Sequence, residues 1–239
     1  MRQSQERFRW YNRAMSRVKL VVFDIAGTLI EDHGEVIRAF ANALRENGIP
    51  FVEDELKKWK GASKREVIRH FVTRADPKGA VEERVETSYR CFRAELERCY
   101  SEEVVPIAGA LETFRWCRER GMLMATTTGF YREISDLVLN QTGWRDFFAA
   151  NISSSDVREG RPAPYMIFRA MEATGVRSVK EVVNVGDTPL DLRSGSNAGV
   201  AGVIGVLTGT HERENLEREP HTHIINSIAE LPELIAREF

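Results

Sequence analysis

This chain of 239 residues has few cysteines, no long apolar run and almost no excess of either charge. The three cysteines, Cys91, Cys99 and Cys117, are odd in number and lack metal-site spacing, which argues against a disulfide scaffold. No apolar run approaches the roughly 20 residues of a membrane-spanning helix, and a net charge of -2 offers no broad basic surface. We therefore expect a cytoplasmic protein with reduced thiols and with no nucleic-acid or membrane partner.

The composition is that of a folded globular protein. Hydrophobic residues make up 42% of the chain and charged residues 29%, and a chain of this length can bury a full core. Residues 1–17 precede the first apolar run, and they are basic without containing an apolar segment. They therefore predict an N-terminal extension rather than a secretory signal.

The first apolar run, residues 20–23, predicts a buried strand because two of its four side chains are β-branched. The run ends at Asp24, and Gly27 permits a tight turn just after it. Open α/β sheets bind ligands at such strand ends. A carboxylate there can act as a nucleophile towards phosphorus. The alternative is that Asp24 only caps the turn.

The pattern after this strand divides the chain into two parts. Between residues 35 and 105 the apolar spacing predicts helices and no buried strand. These helices cover residues 35–47, 54–60, 64–74 and 81–100. From residue 106 onward helices and strands alternate, which predicts an α/β fold with a parallel sheet. We expect a core domain of residues 18–34 and 106–239, with an all-helical cap domain at 35–105 inserted after the first strand.

The alternating part contains short apolar runs separated by amphipathic segments. The predicted strands cover residues 122–126, 147–153, 181–185, 201–206 and 223–225. The predicted helices cover residues 110–120, 131–141, 163–174, 190–198 and 228–237. The pair His221 and His223 opens the last strand, where we favour a structural role over metal binding.

Two further segments carry residues suited to a phosphoryl group. Thr128 and Gly129 end an apolar strand, where a hydroxyl and free backbone N–H groups suit a phosphate oxygen. Arg161 lies between Gly160 and Pro162, so its backbone is restricted and its guanidinium can balance phosphoryl charge. The alternatives are an ordinary strand-to-helix turn and a surface arginine in a loop.

A second apolar strand also delivers an aspartate beside a glycine. Residues 182–185 lead to Gly186 and Asp187, and Asp191 follows four residues later, at the start of a helix. Asp24 and Asp187 could share one hard cation, since Mg²⁺ prefers a few carboxylates together with water and substrate oxygens. The alternative is that Asp187 and Asp191 cap and solubilise the helix.

These four segments, in this order on an alternating α/β pattern, resemble the haloacid dehalogenase superfamily over roughly residues 18–239. The resemblance implies a Rossmann-like core with Asp24 as nucleophile and Thr128, Gly129 and Arg161 at the phosphoryl group. It further implies Mg²⁺ as cofactor, bound by Asp24, the backbone carbonyl of Ala26 and Asp187, with Asp191 behind these ligands.

The alanine at position 26 departs from the phosphatases of that superfamily. They carry an aspartate there, which protonates the leaving alkoxide as a general acid. Alanine cannot do this, and its presence should slow ester cleavage by on the order of 10²–10⁴-fold. Cleavage of a carbon–phosphorus bond avoids the problem if an imine to a lysine takes up the electrons.

Lys64 is the candidate for that lysine. The sequence Gly61-Ala-Ser-Lys64 resembles the cap loop of the phosphonatase group, where the Schiff-base lysine also follows a glycine by three residues. The alternative is a solvated helix residue. Val67 stands where phosphonatases carry a histidine that shuttles protons, so the sequence departs from that group at this position. Lys60 is a second cation that would lower the pKa of Lys64 and leave more free amine.

The sequence therefore predicts a Mg²⁺-dependent, phosphonatase-like hydrolase that cleaves a small aldehyde phosphonate. Two alternatives remain open. One is a phosphatase for a small phosphate ester, of the phosphoglycolate or sugar phosphate type. The other is a non-catalytic binding protein that keeps the fold. In each case the partner is a small molecule, and a homodimer is considered.

Overall fold

The computed structural model describes residues 17–59, 61–77 and 79–239. The N-terminal extension, apart from Arg17, and Lys60 lie outside these ranges. The sheet is parallel, with six strands in the order β3-β2-β1-β4-β5-β6. Its strands are β1 (Leu20–Phe23), β2 (Leu123–Thr128), β3 (Ala150–Ser153), β4 (Val182–Gly186), β5 (Gly202–Val206) and β6 (His223–Ile225). The predicted α/β class with a parallel sheet is confirmed.

Helices connect these strands and follow the last of them. They are α1 (Glu35–Glu46), α2 (Glu53–Lys58), α3 (Lys64–Ala75), α4 (Val81–Glu102), α5 (Ala110–Glu119), α6 (Arg132–Gln141), α7 (Tyr165–Thr174), α8 (Pro189–Ala198), α9 (Arg213–Glu217) and α10 (Leu231–Glu238). In the described part of the chain, no helix is both long enough and apolar enough to cross a membrane.

Several predicted boundaries were wrong. Strand β2 runs to Thr128 rather than to residue 126, because Thr126, Thr127 and Thr128 all pair with β3. The segment 147–153 begins as a 3-10 turn, so β3 starts only at Ala150. Helix α7 begins at Tyr165, since Pro164 occupies its N-cap. Helix α9 was not predicted.

Residues between β1 and α5 form a helical insertion. Its regular elements, in the described part of 31–105, are the four helices α1 to α4. Helix α4 packs against α1 and α3, with the rings of Phe40 and Phe92 stacked at 4.4 Å. Helix α4 therefore packs within the insertion. The division into core and cap domains stays a prediction, as does the homodimer.

The central strand β1 brings the polar strand ends together. It pairs with β2 on one side and with β4 on the other, and all four of its side chains are fully buried. Phe23 packs edge-on against Phe114 and Phe148. The carboxyl ends of three neighbouring parallel strands therefore meet at one edge, where such sheets place their sites.

Candidate active site

Asp24 lies at the centre of this sheet edge. Its register is fixed by the strands on both sides, since Phe23 pairs with Thr126 and Val185. The Asp24 backbone N–H also donates to the carbonyl of Val185 at 2.9 Å. The side chain of Asp24 is 7% exposed, so it is a buried carboxylate that needs a compensating charge.

Arg161 supplies that charge. Its Nη1 lies 2.8 Å from Asp24 Oδ1 and 2.7 Å from Asp191 Oδ1, and its side chain is 2% exposed. Its Nη2 donates to the carbonyl and the hydroxyl of Thr127 at 2.6 and 3.0 Å. One guanidinium thus joins two carboxylates to the end of β2. This is a buried ion-pair network rather than the predicted alternative of a surface arginine.

Asp191 is bound on both sides by protein groups. Besides the contact with Arg161, its Oδ2 accepts from the N–H of Thr188 at 3.1 Å and from its hydroxyl at 2.6 Å. This capping box begins helix α8. Burial raises the pKa of Asp191 to about 6, although Arg161 acts in the opposite direction. Both oxygens of Asp191 are therefore already engaged, one by Arg161 and the other by Thr188.

The remaining carboxylates form a candidate metal site. Ligand oxygens of Asp24, Asp187 and Asp191 lie within 4.8 Å of one another, and all three residues are buried. Within this group, the Mg²⁺ ligands implied by the resemblance, which are Asp24, Asp187 and the backbone carbonyl of Ala26, stay a prediction. Hard oxygen ligands of this kind suit Mg²⁺.

Asp187 sits in a cradle made by backbone. A Cβ at Gly27 would lie 2.4 Å from Asp187 Oδ2, and one at Gly209 would lie 1.8 Å from it. The Thr28 hydroxyl donates to Asp187 Oδ1 at 3.4 Å. The loops after β1 and β5 thus approach the carboxylate as closely as only glycine allows, which restricts its position.

A small cavity joins this edge to the helical insertion. Its volume is about 20 Å³, enough for about one water molecule. The residues that line it come from both parts of the chain: Asp24, Ala26, Asp32, Val36, Gly61, Lys64, Thr128, Gly129, Phe130 and Thr188. Thr128 is held in place because its hydroxyl accepts from the N–H of Phe130 at 3.1 Å.

Lys64 is among these lining residues. It is the first residue of α3 and is 4% exposed, so the alternative of a solvated helix residue is wrong. Its Nζ lies 5.6 Å from the ring centroid of Phe130. The amine therefore faces an aromatic ring, and Lys64 and Asp24 line the same water-sized cavity.

Glycines allow the insertion to pack directly on the site loops. A Cβ at Gly61 would lie 2.7 Å from the hydroxyl of Thr188, and one at Gly129 would lie 2.6 Å from the carbonyl of Ala62. Gly61 also has a φ of +85°, which disfavours other residues. The loop that carries Lys64 is thus pressed against the core.

Other predicted candidates lie elsewhere. Val67 is fully buried in the apolar core. Its side chain therefore cannot perform the proton transfer of the histidine that phosphonatases carry at that position. His221 is exposed, and its Nδ1 lies 2.7 Å from the carbonyl of Glu219. In the part of the chain that the structure describes, the candidate metal cluster is the aspartate group and includes neither histidine. The three cysteines are free thiols.

Sequence reasoning missed three cavity residues, Asp32, Val36 and Thr188. Asp32 lies in the loop after β1 and Val36 lies in the first turn of α1, and this stretch contains no sequence motif. Thr188 stands beside Asp187 in the sequence and begins α8, so its place at the site could have been inferred from the strand end.

Two curated relatives of the chain are named phosphonoacetaldehyde hydrolase. A phosphonoacetaldehyde hydrolase from Lysinibacillus sphaericus is 32% identical over 218 residues, which cover 85% of this chain and 80% of the relative. Another from Bacteroides fragilis is 30% identical over 258 residues, covering 92% of this chain and 97% of the relative.

Solved structures agree on the fold. A phosphonoacetaldehyde hydrolase-like protein from Oleispira antarctica superposes with a TM-score of 0.80 at 22% identity, over 92% of each chain. A predicted phosphoglycolate phosphatase from Haemophilus somnus gives 0.78 at 20% identity, over 92% of this chain and 99% of that one. The sequence profile of the haloacid dehalogenase-like hydrolases matches residues 21–206. With this match, the parallel sheet and the aspartates at its edge, the chain belongs to the haloacid dehalogenase-like hydrolase family.

Proposed function

We propose that this hydrolase is a Mg²⁺-dependent phosphonatase that cleaves the carbon–phosphorus bond of a small aldehyde phosphonate through an imine on Lys64. The observation that carries the proposal is the burial of Lys64 in the same cavity as Asp24, beside Ala26. The name shared by the relatives points to phosphonoacetaldehyde as the first substrate to test.

The phosphorus side of the reaction belongs to the core. The Asp24 carboxylate, held by Arg161, attacks phosphorus and forms an acyl-phosphate, and water then hydrolyses the acyl-phosphate to free phosphate and restores the carboxylate. Thr128 and Gly129 line the cavity next to it and bind the phosphonate oxygens through hydroxyl and N–H groups. Asp24, the carbonyl of Ala26 and Asp187 would hold Mg²⁺, which would supply positive charge to the phosphonate.

The carbon side belongs to the insertion. The Lys64 amine condenses with the aldehyde, and water leaves as the imine forms. When Asp24 attacks phosphorus, the electron pair of the carbon–phosphorus bond passes into the imine and gives an enamine. Protonation of the enamine carbon and hydrolysis of the resulting imine release the aldehyde. This route needs no acid at position 26, which fits the alanine there.

Substrate entry requires the insertion to move. A cavity of about 20 Å³ holds one water molecule and not a phosphonate, so the described arrangement is a closed one. One of the contacts between the insertion and the core is an ion pair that water reaches. Arg93 Nη2 lies 3.0 Å from Glu133 Oε1, and both side chains are partly exposed. Partly exposed ion pairs of this kind contribute little and permit opening.

The test combines product release with trapping. Phosphonoacetaldehyde and Mg²⁺ should give phosphate and acetaldehyde, and borohydride should add the reduced two-carbon group to Lys64, as located by peptide mass spectrometry. Lys64→Arg keeps the charge but cannot form the imine, so both signals should disappear. The matched control Lys58→Arg changes an exposed lysine of the same insertion and should retain both.

A phosphatase for small esters is the competing function. It would release phosphate from phosphoglycolate or a sugar phosphate, and Lys64→Arg would leave that rate unchanged. Turnover of phosphonoacetaldehyde without a Lys64 adduct, or retained turnover in Lys64→Arg, would refute the imine route. Inactivity towards every phosphonate and phosphate, despite Mg²⁺ binding, would favour a non-catalytic protein.

A further inference from the structure

The cavity contains a third titratable group that the proposed chemistry has not used. Of the described residues that line it, Asp24, Asp32 and Lys64 carry ionisable side chains. Asp24 is the nucleophile and is paired with Arg161. Lys64 carries the substrate carbon. Asp32 is therefore the described carboxyl left to exchange protons inside a space the size of one water molecule.

The Asp32 side chain is oriented by the backbone around it. Its Oδ1 accepts the N–H of Gly34 at 2.8 Å, in the loop that joins β1 to α1. The residue is half-buried and shares the cavity wall with Val36 and Phe130, both of which are apolar and buried. A carboxyl fixed at one oxygen and placed among apolar groups is suited to proton transfer.

A second polar group, the hydroxyl of Tyr100, lies in the same region. Its ring packs edge-on against Phe130 at 5.4 Å. Its hydroxyl is buried and has no hydrogen-bond partner among the described residues. Burial and then the negative charge of Asp32 raise the pKa of Tyr100. A buried hydroxyl without a partner is costly, so its presence near Asp32 points to a polar group of a ligand that binds there.

From this placement we infer that Asp32 is the acid–base residue of imine formation at Lys64. The inference rests on the proposed function. The Asp32 carboxylate takes a proton from the Lys64 ammonium, and the free amine adds to the aldehyde carbon. After proton transfer within the adduct, the neutral carbinolamine carries a hydroxyl. The Asp32 carboxylic acid protonates this hydroxyl, which leaves as water, so that the iminium forms and the carboxylate is restored.

In this proposal Asp32 supplies the proton-transfer group that is missing at Val67. At that position phosphonatases carry a histidine, and here the valine is fully buried and cannot exchange protons. Asp32 approaches the cavity from a different element, the loop after β1, rather than from α3. The proton-transfer group would thus come from the chain segment next to the nucleophile, instead of from the helix that carries Lys64.

The test measures the rate of Lys64 adduct formation with phosphonoacetaldehyde by rapid mixing with borohydride. Asp32→Asn keeps the oxygen that accepts from Gly34 but cannot exchange protons. We expect its trapping rate to fall roughly 100-fold, at the lower end of general acid–base effects. Glu31→Gln is the matched control, since it removes an exposed carboxylate one residue away, and it should trap at the wild-type rate.

Chemical rescue separates proton transfer from a structural role. In Asp32→Ala, added formate should raise the trapping rate in proportion to its concentration, while the wild-type rate should not respond. An unchanged rate in Asp32→Asn, or a reduced rate that formate does not restore in Asp32→Ala, would overturn the assignment alone. A wild-type protein that forms no Lys64 adduct would overturn the proposed function and this inference together.

Discussion

Arg161→Met should destabilise the protein by about 3–5 kcal/mol, because it leaves two buried carboxylates without their common partner. The Nη1 of Arg161 lies within 2.8 Å of Asp24 and 2.7 Å of Asp191, and the carboxylates are 7% and 1% exposed. The hydrogen bonds to Thr127 belong to the same group and are not added separately. The loss is large against the roughly 5–15 kcal/mol of a typical domain.

The assay is urea unfolding followed by circular dichroism, with EDTA present so that a bound cation does not replace the missing charge. Arg193→Met is the control: its side chain is 50% exposed beside Glu219, so we expect a loss below about 1 kcal/mol. Adding Asp191→Asn to Arg161→Met removes one orphaned charge and should restore at least about 1 kcal/mol. Equal losses for the two arginine variants would refute the argument that Arg161 neutralises the site.

Three further changes test other parts of the site. Gly209→Ala places a Cβ where it must displace the Asp187 carboxylate, so Mg²⁺ affinity measured by calorimetry should fall at least about 10-fold. Gly175→Ala is the control, because Gly175 has a positive φ but no neighbour within 4 Å. This variant should lose stability but keep its Mg²⁺ affinity. Mg²⁺ at about 100 times its dissociation constant should raise the free energy of unfolding by about 2.7 kcal/mol, and Asp187→Asn should abolish that gain. Tyr100→Phe removes a buried hydroxyl without a described partner and should stabilise the metal-free protein by about 1 kcal/mol; a comparable loss in urea unfolding would contradict this.

The strand ends could be predicted because their signal is local. An apolar run followed by an aspartate and a nearby glycine occurs at Asp24 and at Asp187, and adjacency follows from the parallel topology. The predicted boundaries were wrong where tertiary contacts determine the point at which an element begins or ends. Strand β2 extends because its threonines pair with β3, a partner that the sequence of β2 does not reveal.

The contacts of Arg161 and the burial of Lys64 depend on packing between distant segments. Nothing in the loop around Arg161 shows that its guanidinium reaches Asp24, Thr127 and Asp191. Lys64 stands in a charged helix, and its burial follows from the close approach of Gly61 and Gly129 to the opposite loops. Asp32 belongs to no motif. It was missed for that reason.

The arrangement around position 26 separates the two halves of the proposed reaction. Ala26 and Val36 are apolar and line the cavity together with Asp24, so neither of these two side chains can donate a proton there. Apolar walls also strengthen the attraction between the charged groups that remain. The ionisable groups of the carbon side, Asp32 and Lys64, reach the cavity from the segment after β1 and from α3. A substitution of Ala26 by aspartate would therefore place an acid on the phosphorus side and should raise phosphate ester hydrolysis relative to phosphonate cleavage, as measured by phosphate release from the two substrate classes. An unchanged ratio would show that the residue at position 26 does not decide between them.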